Sequence, residues 1–247
     1  AAMRYTEARM SVFSELILED LGKRTVGFVP NFDDEELEPI VLPSKFPNIL
    51  VNGASGISAG YATEIPPHNP GEVIDAAIYR INNPNSTTEE LMQFPDFPTG
   101  AIVQGLEGLK SAYETGRGKV IVRSKYEIDK SKIEPRIIIT EIPFDVNKAV
   151  LLRKMSDVVQ LKGIEGIKMI RDESSRQGLR IVIDLRRDVN PDNIINFLLK
   201  QTDLQTSYNF NMVAISQGRP LQMGLVDILD AYITHQKEVI TNRSNYD

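Results

Sequence analysis

Glycine and proline are denser between Val51 and Asn69 than a continuous helix tolerates: Gly53, Gly56 and Gly60 are followed by Pro66 and Pro67. The stretch is otherwise small and weakly polar, so its backbone can approach a bulky partner where a Cβ would clash. Ile57 breaks that character. A β-branched side chain is stiff at χ1, which suits a plug in a core or a wedge of the kind that DNA-bending proteins push between base steps. Isoleucine is among the most buried residue types, so burial is the plainer reading. Neither common phosphate loop fits, because the spacing is not G-x-G-x-x-G and no Lys-Ser/Thr pair follows Gly60.

At 247 residues the chain can bury a substantial core, as one large or two modest domains. A hydrophobic content of 41% with 25% charged residues is globular composition. There is no run of about 18 apolar residues to span a bilayer, no signal-peptide pattern, and no Cys for disulfides or Cys-ligated metals. A cytoplasmic chain with no membrane partner is expected. The net charge of −6 argues against a nucleic-acid partner in bulk. Binding DNA would need a local basic face, which Arg4, Arg9, Lys45 and the glycine-rich loop would have to supply.

Met10, Phe13, Ile17 and Leu21, with Val12 and Leu16, recur at three and four and predict an amphipathic helix over 6–23 that stops at Gly22. Asp33 to Glu36 read as a solvated acidic loop, since no EF-hand spacing supports Mg²⁺ or Ca²⁺ ligation, and no metal site is expected. Pro39, Pro43 and Pro47 predict an extended segment. A helix then starts with Asn69 as N-cap, Pro70 at the first position and Glu72 at the capping-box position, with Ile74, Ala77, Ile78 and Ile81 as its apolar face. Residues 101–103, 120–123, 137–140 and 180–185 read as strands. Residues 147–161 and 191–201 read as helices, the second capped by Asn190. Val226, Leu229, Ile233 and Ile240 sit at heptad-like spacing, as in one strand of a coiled coil. Strands interleaved with helices predict an α+β body.

Gly116, Arg117, Gly118 and Lys119 read either as a phosphate-gripping loop or as a tight basic hairpin turn. Asp172 and Glu173 are adjacent, and adjacent side chains of a strand point to opposite faces, which argues against an acid–base pair. Of the two histidines, His68 and His235, the first reads as structural or surface-exposed. Arg4-Tyr5 says little by itself. Chemically, a phenol of pKa about 10 needs a neighbouring cation or base to attack phosphorus, and an arginine fork would neutralise the phosphate oxygens.

Several stretches in register carry a resemblance: Ala2 to Glu7, Phe46 to Asn48, Asn52 to Asn69, Pro95 to Gly100, Thr115 to Lys119, Glu141 to Pro143, Arg171 to Ser174 and Asn211 to Ala214. Together, over essentially the whole chain, they resemble the A subunit of bacterial type IIA DNA topoisomerases, DNA gyrase or topoisomerase IV. Ser55 to Thr63 is closer to the topoisomerase IV of Gram-positive bacteria. The stretch from Leu91 to Pro95 departs from the family pattern, being a few residues shorter and lacking a Gly.

The resemblance implies that Tyr5 forms a reversible phosphotyrosyl bond to the 5′ side of cleaved DNA, with Arg4 as its adjacent catalytic arginine. It also implies that Ile57 intercalates into bent gate DNA, with Lys45, Asn52, Ser55, Arg117 and Lys119 as further expected DNA contacts. The implied partners are double-stranded DNA, a second A subunit, and a topoisomerase B subunit. Mg²⁺ and ATP would be bound by the B subunit, with no cofactor on this chain. Residues 1–39 would be the remnant of a winged-helix domain, 40–219 a mixed α/β tower domain with the intercalating loop, and 220–247 the start of a long coiled-coil helix. The winged-helix recognition segment would precede residue 1, so both ends are expected to lie within a longer protein and this stretch alone is expected not to cleave DNA. Two other readings stay open. One is a non-enzymatic DNA-bending module in which Ile57 matters and Tyr5 does not; the other is a nucleotide-binding α/β enzyme, resting on Gly53, Gly56 and Gly60 alone.

Overall fold

The computed structural model describes residues 3–131, 133–161 and 163–247, and of Tyr5 the backbone but not the side chain. In chain order the elements are a 3-10 turn (Met3–Tyr5), α1 (Val12–Leu18), a second 3-10 turn (Leu21–Lys23), β1 (Phe28–Pro30), β2 (Leu37–Pro39), α2 (Asn48–Asn52), β3 (Ala54–Ser58), β4 (Tyr61–Ile65), α3 (Pro70–Asn82) and α4 (Thr88–Leu91). There follow β5 (Ile102–Gln104), α5 (Leu106–Thr115), β6 (Arg117–Arg123), β7 (Lys125–Asp129), β8 (Arg136–Glu141), α6 (Lys148–Leu161), β9 (Ile167–Asp172) and β10 (Ile181–Leu185). The chain ends with α7 (Pro191–Gln201), β11 (Gln205–Asn211), β12 (Val213–Ser216), β13 (Arg219–Gln222) and α8 (Leu225–Tyr246). This is an α+β chain. None of the described helices is long and apolar enough to cross a membrane. Two compact units form: Ala1–Phe94 with Ala112–Gly116 and Asn211–Asp247, and Pro95–Ser111 with Arg117–Phe210.

The second unit is built on an antiparallel sheet of order β7-β8-β10-β9. Ile137 and Ile139 of β8 and Ile181, Ile183 and Leu185 of β10 alternate along their strands, so they share one face. That face is fully buried against Leu151 and Met155 of α6 and Ile195 and Leu198 of α7. At about 25 cal/mol per Å² of apolar surface, this cluster is the main stabilising term of the unit. Asn190 caps α7 by accepting from Asp192 N–H at 3.0 Å, as its sequence predicts. β11, β6 and β5 form further strands beside one another in that order.

In the first unit, α8 packs against α3 and α4. Leu225, Ile228, Leu229 and Val239 are its buried residues, not the full heptad set, since Ile240 is exposed and Val226 and Ile233 are only partly buried. Polar ties run along its length: Arg80 of α3 grips Asp230 through two hydrogen bonds of 2.7 and 2.8 Å, Gln236 donates to Ser44 O, and Asn242 donates to Thr25 O.

Several sequence expectations are corrected. The helix over 6–23 shrinks to α1, because Ser11 accepts from Ser14 N–H and starts it late, while Glu19 turns to a ψ of 138° and Asp20 takes a left-handed φ of 66°, which end the run before Gly22 can act. α3 begins as predicted, Asn69 accepting from Gly71 and Glu72 N–H, but its buried face is Val73, Ala76 and Ala77, and Ile74, Ile78 and Ile81 are exposed. Val73, Ala76 and Ala77 fit the same three-and-four spacing, and small residues let neighbouring helices approach closely. The acidic stretch is solvated as expected and forms the turn of the β1–β2 hairpin, where Asn31 Oδ1 accepts from Glu35 and Glu36 N–H. Arg117 and Lys119 lie within β6, so the Gly116–Lys119 stretch is neither a phosphate loop nor a hairpin turn.

Candidate nucleic-acid interface

The glycine-rich stretch is an antiparallel hairpin. Ser55 pairs with Glu64, Gly56 with Thr63, Ile57 with Ala62 and Ser58 with Tyr61, which leaves Ala59-Gly60 as a two-residue turn. Gly60 adopts φ +85° there, a conformation that suits glycine. At the root, Gly53 has φ +69°, and a Cβ on it would lie 2.4 Å from Ile65 O and 2.9 Å from Pro66 C. The two ends of the hairpin therefore cross so closely that only glycine fits.

The hairpin is braced on one face. Thr63 Oγ1 donates to Val213 O at 2.7 Å, and Asn211 Nδ2 donates to Ala62 O at 2.7 Å. These braces were not identified from sequence, although Asn211 lies in one of the motifs behind the resemblance. On the alternate positions, Ser55 Oγ donates to Glu64 at 2.9 Å and Ile57 stands beside them. Gly56, Ser58 and Ala62 around it are too small to cover it, and Ile57 is 94% exposed. Leaving such a side chain in water forgoes about 1.5–3 kcal/mol of burial. A shallow depression of about 400 Å³ lies beside it, lined among others by Tyr61, Val213, Ile215 and Pro220.

Asn52 ends α2 directly before the hairpin and donates to Asn48 Oδ1 at 2.5 Å, so Asn52, Ser55 and Ile57 are brought together in one local structure. Lys45 precedes α2 and its ammonium meets the Glu19 carboxylate, while Arg9 lies 3.6 Å from Glu7. Two of the cations of the expected basic face are thus balanced by carboxylates. Arg4 is exposed on the first 3-10 turn, and the side chain of Tyr5 lies outside the described residues. Arg117 and Lys119 are exposed at alternate positions of β6, in the second unit, and so share one face of that strand. Among the described residues no group of three or more His, Asp or Glu side chains is placed to hold a metal ion.

His68 is structural and not surface-exposed, the first of the two placements expected for it. It is buried three residues past β4, with Nδ1 at 2.8 Å from Leu50 O and Nε2 at 2.6 Å from the Tyr113 hydroxyl. Burial pushes the Tyr113 phenol well above its ordinary pKa, with the Glu72 carboxylate adding to the rise.

The family model for the A subunit of DNA gyrase and topoisomerase IV matches residues 1–247. The chain belongs to that family. It is 58% identical to the DNA topoisomerase 4 A subunit of Bacillus subtilis, 57% to that of Streptococcus pyogenes serotype M18 and 54% to that of Staphylococcus epidermidis, in each case over its whole length. It spans 31% of the length of these relatives. Family membership thus agrees with the resemblance carried by the sequence motifs.

Proposed function

We propose that this chain is a segment of the DNA breakage-reunion subunit of a type IIA topoisomerase, of the topoisomerase IV kind. The observation that carries the reading is Ile57, a stiff apolar side chain 94% exposed on a hairpin whose root admits only glycine, in a chain of this family. An exposed β-branched residue on a braced strand is suited to unstacking a base step and kinking the duplex. Ser55 on the same face of β3 and Asn52 at the hairpin root meet sugar and phosphate, and Lys45, Arg117 and Lys119 contribute phosphate contacts. Lys45 does so by exchanging Glu19 for a phosphate.

Tyr5 supplies the nucleophile and Arg4 the charge. The phenolic oxygen attacks a backbone phosphorus, the bond from phosphorus to the 3′ oxygen breaks, and the phenolic proton is balanced by protonation of the departing 3′ hydroxyl. A 5′-phosphotyrosyl link remains, which the 3′ hydroxyl attacks to reseal the strand. One ester replaces another, so cleavage needs no ATP. Arg4 neutralises the phosphoryl oxygens as charge develops. In this reading residues 1–39 belong to the winged-helix domain, 40–219 to the tower and 220–247 to a coiled coil. A second A subunit cuts the other strand, the B subunit brings ATP and Mg²⁺, and the assembly acts on the bacterial nucleoid by decatenation and relaxation.

In the intact protein assembled with its B partner, Tyr5→Phe should abolish covalent DNA–protein adduct and leave DNA affinity within about twofold. Unchanged adduct would overturn the role of Tyr5, and absence of adduct from wild type and variant alike, with DNA bending intact, would favour a non-enzymatic bending module. Residues 1–247 alone, mixed with B subunit, Mg²⁺ and supercoiled plasmid, should give no adduct.

A further inference from the structure

The wedge reading leaves open what holds the hairpin at a fixed angle while it pushes against stacked bases. His68 sits where both roots of the hairpin meet, beyond the crossing at Gly53. The root before β3 is α2, and His68 engages two of its carbonyls: its backbone N–H donates to Val51 O at 3.3 Å and its ring Nδ1 to Leu50 O at 2.8 Å. The root after β4 is the segment Pro66-Pro67-His68 itself. A carbonyl can only accept, so Nδ1 carries the proton and, in the neutral ring, Nε2 accepts from the Tyr113 hydroxyl at 2.6 Å.

Tyr113 is anchored in turn. It lies in the last turn of α5, fully buried, and the backbone there is locked onto the start of α8: a Cβ on Gly224 would lie 2.7 Å from both Tyr113 O and Glu114 O. Gly116 O, which ends the same turn, accepts from Met212 N–H at 2.8 Å and from Gln222 Nε2 at 3.0 Å. The hydroxyl of Tyr113 thus connects the hairpin roots to a rigid backbone junction. A buried hydrogen bond between two side chains that otherwise pack well is not required merely to fill space, since phenylalanine would fill the same volume.

We infer that His68 and Tyr113 are positioning residues for the wedge: their hydrogen bond fixes the hairpin against the α5–α8 junction, so that the force of inserting Ile57 bends DNA instead of tilting the hairpin. The inference rests on the wedge reading above. Removing the hydroxyl deprives a buried ring nitrogen of this donor and frees the hairpin to tilt, and a lost buried hydrogen bond shifts such a balance by about tenfold.

The test uses the intact protein with its B partner on a gate duplex carrying a fluorescence-transfer pair at its ends. Tyr113→Phe should lower the bent fraction about three- to tenfold with DNA affinity within about twofold. His68→Asn, which keeps the donor to Leu50 and cannot reach Tyr113, should do the same, and the double variant should be no worse than either single one. Ile139→Val, in the core of the second unit, serves as a variant of comparable stability loss and should bend DNA normally. Normal bending by both Tyr113→Phe and His68→Asn would overturn the inference, as would an equal loss in Ile139→Val, because the effect would then follow stability alone. Ile57→Ala separates the two levels: if it bends DNA like the wild type, the wedge reading itself fails and the positioning role falls with it.

Discussion

Ile57 and Ile139 are the same residue on antiparallel strands, one 94% exposed and the other fully buried. The difference lies in what surrounds each. Ile139 pairs with Ile181 across β8 and β10 and has α6 and α7 beneath it. Ile57 pairs with Ala62 and has Gly56 and Ser58 on either side, and these small neighbours do not cover it. The sheet of the second unit spends its isoleucines on stability. The hairpin of the first unit is held instead by backbone geometry and by Thr63 and Asn211, which leaves Ile57 available to something outside the chain.

That contrast can be broken at four points. Ile139→Ala should cost about 3–4 kcal/mol, read from chemical denaturation, because it opens a cavity in a fully packed cluster. Gly53→Ala should cost about 2–3 kcal/mol, since it forces a Cβ into Ile65 O at a positive φ; a neutral result would mean that the hairpin root is looser than the structure has it. Ile57→Ala should change stability by less than about 0.5 kcal/mol in the same assay, and a large loss would mean that Ile57 is buried after all.

The smallest effect concerns pH. In the second unit, the Lys148 ammonium, helped by Ser174, holds the Asp172 carboxyl down to about 2 from its ordinary 3.8. A depressed carboxyl contributes stability above its unfolded pKa and loses it as pH falls through the folded one. The contribution should therefore be complete above about pH 4 and fade toward pH 2. Both groups are partly exposed and the loss is small. Lys148→Met should flatten the dependence of the urea midpoint over that window, while Ile57→Ala leaves it unchanged.

Much of the second unit was legible in the sequence. Runs of β-branched residues around Ile138 and Val182 mark buried strands, and Asn190-Pro191 marks a helix start by a local mechanism that tertiary context did not override. Asn69-Pro70 worked the same way in the first unit. The hairpin was not legible as strands, since Gly53, Ala54, Ser55 and Gly56 carry no strand preference and their pairing is imposed by the close crossing at Gly53. The face of α3 was misjudged because two stripes satisfy the same spacing, and the bulkier one is not the buried one. Arg4 and Tyr5 gained a role only through resemblance, and Ile57 stood out from its small neighbours but read as buried until the resemblance favoured the wedge, because a lone phenol or isoleucine has no pattern of its own. The pairing of His68 with Tyr113 joins residues 45 positions apart, which no local rule reaches.

The central claim is that Ile57 is held outward to enter a base stack. The direct measurement places 2-aminopurine at successive steps of a gate duplex bound to the intact protein and its B partner, and compares wild type with Ile57→Ala at equal occupancy. The account predicts a fluorescence rise at one step with the wild type and none at that step with the variant. An equal rise in both, or no rise in either, would contradict it.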